Sequence, residues 1–162
     1  MKTLICLIML ICCTAAGFLK SGSLKKRAHE LEGLRELIKN TESEISSYKR
    51  PVCDAVSRAS SVLSGYELPE MIASHLKTNG DINAVWHALD PDMLTDSDIS
   101  VADEFFALLG MSGRDDQVSL CRDTLSRLDS NYENAKENCE KKCTLYKSLG
   151  FLSGLLLIIL VV

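Results

Sequence analysis

The chain has 162 residues, a quarter of them charged, with a net charge of −4 and 6% aromatics. With no basic stripe and few stacking side chains, nucleic acid is excluded as a natural partner. A mean hydropathy near zero averages two apolar ends with a polar middle of roughly 125 residues, enough for one domain with a real core.

Thr3 to Leu19 is the first apolar run. Lys2, the apolar stretch and the small residues Thr14 to Gly17 could form a secretory signal peptide. The same run could be an uncleaved spanning helix at the short end of the usable range. Charge favours the span: Lys2 alone precedes it, whereas Lys20, Lys25, Lys26 and Arg27 follow, which places the next segment in the cytosol.

From Ser23 the period is helical. Leu24, Ala28, Leu31, Leu34, Ile38, Thr41, Ile45 and Tyr48 recur at steps of three and four. The helix must stop near Pro51, because a proline disfavours helical geometry in the residue before it. Such a stripe either packs within its own domain or pairs two chains as a coiled coil, and the former is preferred. Pro51 then fits the first position of a second helix, with Val52, Ala55, Val56, Ala59, Val62 and Leu63 on one face. A third helix covers Leu68 to Leu76 and ends towards Gly80. Asp81 caps a fourth that carries Ile82, Val85, Trp86 and Leu89. Ser97 or Asp98 caps a fifth, ended by Gly110.

After the turn Gly110, Ser112 and Gly113, a last helix begins at Arg114, with Asp115 and Asp116 favourably placed against its dipole. Its inner stripe runs through Gln117, Leu120, Cys121, Leu125, Leu128, Tyr132, Ala135, Cys139, Cys143 and Tyr146. With neither glycine nor proline between Arg114 and Leu149, it can enter a membrane unbroken. Lys147 is the last charged side chain, and the sixteen residues from it would rise about 24 Å as a helix, short of a bilayer core of roughly 30 Å unless the membrane thins.

No stretch alternates with period two. The expectation is therefore an all-α, membrane-anchored antiparallel bundle of about six helices: 1–20 a transmembrane helix, 21–146 a cytoplasmic helical domain, 147–162 a second transmembrane helix. Gly150 and Gly154 form a small-xxx-small pair, and Ala15, Ala16 and Gly17 could meet them in a close hairpin.

The seven cysteines match neither a zinc spacing nor a disulfide framework. Cys139 and Cys143 share a helix face, which suits small core residues better than a metal site. There is no phosphate loop, no nucleotide-binding glycine motif and no zinc-protease or hydrolase motif. The chain reads as a non-enzyme without catalytic, cofactor-binding or metal-binding residues.

Three pieces carry a family resemblance: Glu44-Ile45-Ser-Ser-Tyr48 before a proline, Leu109-Gly110 leading to an Asp-Asp-Gln helix at Gln117, and the ending from Leu145 to Leu160. With a short apolar N-terminus and a basic Leu-rich first helix, the whole chain resembles the stage III sporulation protein AB family. It departs from that pattern at Gly113, where an acidic residue is usual. The resemblance implies a membrane component of the mother cell in endospore formers, within a complex that joins mother cell and forespore after engulfment. It also implies a domain similar to the cytoplasmic domains of secretion and pilus platform proteins. Its partners would be sister membrane proteins of the stage III sporulation A complex, a cytosolic secretion-type ATPase and the lipid bilayer, with a homo-oligomer conceivable. The alternative is a signal-peptide-bearing, tail-anchored interaction protein on the outer side of the membrane.

Overall fold

The computed structural model is all-α. Its described residues form six helices and no strand: α1 (Lys2–Ser46), α2 (Val52–Val62), α3 (Glu67–Asn79), α4 (Ile82–Ala88), α5 (Asp96–Leu108) and α6 (Arg114–Val161). Described are the backbone of all residues but Met1, Gly80, Asp90 and Val162, and the side chains of 11–77, 81–89 and 91–156. Two compact units result, one from His29–Glu133 and one from Met1–Ala28 with Asn134–Val162.

In the His29–Glu133 unit, the three–four periodicity of α1 becomes a buried stripe. Leu31, Leu34, Leu37, Ile38 and Ile45 are at most 2% exposed, and Cys121 and Leu128 of α6 are fully buried. Each such Leu or Ile contributes about 1.5–3 kcal/mol, against at most about 1 kcal/mol for an exposed ion pair. Burial therefore holds the unit, and the ion pairs set register. Arg35 pairs with Asp129, and Glu42 accepts from Arg122 at 3.0 Å. Both partners step by seven residues, so α1 and α6 run antiparallel in constant register.

The shorter helices close over this pair. Trp86 of α4 stacks on Phe106 of α5 at 4.8 Å, Phe105 meets Phe106 edge-on, and the Trp86 indole N–H donates to Asp103.

Four details differ from the sequence expectations. Pro51 is the N-cap of α2 and not its first residue. The cap of α5 is Thr95, whose N–H and hydroxyl both donate to Asp98, so Asp98 closes a capping box from inside the helix. Tyr48 leaves the α1 stripe because the helix ends at Ser46 and Lys49 turns the chain with φ 55°. Val62 is the last residue of α2 and points to solvent.

In the other unit the two helix ends pack against each other. Among the described residues, no helix is long and apolar enough to cross a membrane. The side chains of 1–10 and 157–162, parts of the two expected spans, lie outside the described residues.

Candidate functional site

Between the helix ends, Gly17 and Gly150 lie face to face. A Cβ added to Gly17 would stand 2.5 Å from the Tyr146 carbonyl oxygen and 3.3 Å from Gly150 Cα. One added to Gly150 would stand 2.9 Å from the Cys13 oxygen. Only glycine permits this backbone approach at both positions. Gly154 is buried on the same side, whereas Ala15 and Ala16 are exposed. One turn below, the Cys143 thiol donates to the buried Ser21 carbonyl at 3.4 Å and lies 3.1 Å from Cys139 Sγ.

The outer surface of this pair is the reverse of a water-soluble hairpin. Phe18, Leu19, Leu145, Leu149, Phe151 and Leu152 are each more than half exposed, while the interior holds glycine, serine and cysteine. The Lys147 ammonium sits 5.3 Å from the Phe18 ring centroid, at the edge of the apolar surface.

In the His29–Glu133 unit, the turn before α6 is organised by buried Gln117. Its side-chain oxygen accepts from the Gly110 N–H at 2.9 Å, and its amide donates to Ser112 Oγ at 2.7 Å and to the Leu108 carbonyl at 3.4 Å. Gly110 holds φ 89°, the left-handed region that favours glycine. Gly113 joins through the main chain, its carbonyl accepting the Gln117 N–H at 3.0 Å. The structure thus gathers Gly110, Ser112 and Gly113 around one amide.

A second tie is invisible to motif reading. Glu30, 2% exposed, accepts the Glu67 N–H at 3.1 Å and the Leu68 N–H at 2.9 Å. A carboxylate of α1 therefore caps α3 from another element, which suits the positive end of a helix. Beside it the His29 ring lies on Tyr66 at 4.5 Å, with Nε2 3.0 Å from the Gly65 carbonyl. Tyr66 in turn packs so closely on Gly33 that a Cβ there would stand 2.6 Å from its ring. One signal pointed to Glu30: it falls four residues before Leu34, on the period of the apolar stripe.

Burial, with Glu42 nearby, pushes Cys121 up to about 12, and burial, then the hydrogen bond to Cys143, raises Cys139. At Cys143 burial pushes the other way, but the hydrogen bonds to Ser21 and Cys139, with Lys25 and Lys147 nearby, hold the thiol below its ordinary value, the direction that favours a thiolate. No group of three or more His, Cys, Asp or Glu among the described residues could hold a metal ion.

The chemistry on view is therefore packing and capping, and family membership has to come from the chain as a whole. The family model of stage III sporulation protein AB matches residues 2–162. The chain belongs to that family. The match takes in both apolar ends, the Gln117 turn and the Glu30 cap of this sporulation protein, so all of them are parts of one family unit. No curated protein matches the chain. No solved structure matches it either.

Proposed function

We propose that the chain is a non-catalytic membrane platform of a sporulation complex joining mother cell and forespore, with its paired helix ends in the bilayer and the central unit in the cytosol. The observation that carries this reading is the inverted helix pair. In water, exposing six large apolar side chains around a glycine interior would waste about 1.5–3 kcal/mol of burial at each. In lipid the outward Leu and Phe are solvated, and close backbone contact holds the helices together. Lys20, Lys25, Lys142 and Lys147 lie at the base of that surface, where the positive-inside bias puts them on the cytosolic side.

Family membership supports a role in sporulation. The likeness to secretion platform domains that the sequence resemblance implies would extend the reading to partners: a cytosolic secretion-type ATPase and sister membrane proteins of the same complex. Exposed Cys53 offers the test of orientation. An impermeant thiol reagent should leave it unlabelled in intact cells and label it once they are permeabilised; labelling in intact cells would overturn the cytosolic placement. Affinity purification from sporulating cells should recover the ATPase or a sister membrane protein, and recovery of neither would sink the platform assignment.

A further inference from the structure

Four large apolar side chains are exposed among the described residues of the His29–Glu133 unit: Tyr48, Val62, Leu108 and Met111. They are not scattered. Tyr48 and Val62 line one groove of about 430 Å³ between α1 and α2, together with Glu44 and Arg58. Leu108 and Met111 line another of about 320 Å³ at the α5–α6 turn, with Leu120, Asp116 and Asp123.

The two grooves differ in charge. At the first, the lining Arg58 is exposed, Lys49 is exposed next to Tyr48 in the chain, and Glu44 is already paired with Arg50 at 2.7 Å. At the second, the lining Asp116 and Asp123 are exposed, exposed Arg114 and Asp115 precede them, and Arg122 and Arg127 of the same helix are engaged by Glu42 and Glu104. Asp116 and Asp123 lie seven residues apart on α6, about 10 Å along one face, with Leu120 between them.

Register places both grooves at one level. Glu42 meets Arg122, so residues 40–46 of α1 run beside the stretch of α6 that holds Asp116 to Asp123. Asn40 and Glu44 are each about 160° round α1 from Glu42, and Leu120 is about 160° round α6 from Arg122. The grooves thus open away from the contact that joins their two helices. A groove with exposed Tyr48 and Val62 and a basic side, and one with exposed Leu108 and Met111 and an acidic side, level with each other on one unit, are complementary to each other.

The geometry points to head-to-tail self-association: the Tyr48–Val62 face of one copy meets the Leu108–Met111 face of the next, with Arg58 and Lys49 against Asp116 and Asp123. Such a contact is heterologous and leaves a free groove at each end, so it builds a ring or an open row and not a closed dimer. It deepens the homo-oligomer expectation and does not rest on the membrane reading; its failure would leave Cys53 protection unchanged.

The test is sedimentation velocity of the full chain in detergent micelles over a dilution series. The chain should associate beyond a dimer as concentration rises, and less so at high salt. Arg58→Glu and Asp123→Lys should each weaken association at least tenfold with helicity retained, and Val62→Asp and Met111→Asp should do the same through the apolar contact. In an equimolar mixture of Arg58→Glu and Met111→Asp chains, Met111→Asp keeps the Arg58 surface and Arg58→Glu keeps the Met111 surface, so these two intact surfaces pair once and assembly stops at a dimer. A dimer in that mixture is the expected result, and monomers in it would overturn the proposal. A chain monomeric at every concentration, or association unchanged by all four substitutions, would equally overturn it.

Discussion

At Glu30 a carboxylate is buried in order to end a helix that begins thirty-seven residues later. Truncation to Ala leaves the Glu67 and Leu68 N–H groups without that acceptor, and should cost about 1–3 kcal/mol in thermal or denaturant unfolding. Glu30→Gln keeps one acceptor oxygen and should cost less. Lys49 holds φ 55° at the end of α1, where glycine avoids a penalty of about 1–2 kcal/mol. Lys49→Gly should therefore raise the unfolding midpoint while weakening self-association. Cys121 carries a pH signature. Its folded thiol, raised from 9.0 to about 12, stays protonated where an unfolded thiol ionises. The folded state then binds more protons between those values, so this contribution to stability is present below pH 9 and is lost as pH rises towards 12. Stability followed across that range should fall less steeply in Cys121→Ala.

Helices α1 and α6 differ from the short ones in what fixes them. For α4 and α5, caps and aromatic contacts over a few turns suffice, as the Thr95–Asp98 box and the Trp86–Phe106 stack illustrate. The long helices depend on register, and at their ends register depends on glycine. Gly17→Val or Gly150→Val would set a side chain against a carbonyl oxygen already within 3 Å of where its Cβ would be. Either should separate the helix ends, which a spin-label distance between residues 14 and 149 would report, and under the proposed function should arrest sporulation. At the turn, Gly110→Ala should cost about 1–2 kcal/mol for its positive φ, with α6 still starting at Arg114. The stripes of α1 and α6 were legible because burial repeats every three to four residues. Tyr48 and Val62 were not, because a helix end breaks the period that would have buried them, and nothing local in the sequence locates that end to the residue.

For the molecule as a whole, membrane retention is the decisive measurement. If the inverted helix pair resides in lipid, the chain should stay with the membrane through alkaline carbonate and leave it only with detergent. Release by carbonate would return the apolar ends to some other cover. The sequence by itself determined the all-helical class, the antiparallel order of helices and the family, since these follow from periodicity, breakers and motifs carried along the chain. It also singled out Gly17, Gly150 and Gly154 together with Ala15 and Ala16, because small residues in an apolar run stand out locally. Tertiary structure alone decided that Gly17 faces Gly150 while Ala15 and Ala16 look outward, that Glu30 caps α3, and that the exposed apolar residues of the central unit collect in two grooves of opposite charge. Each of these depends on which residues far apart in the chain meet, and that is set by packing between helices, which no single helix encodes.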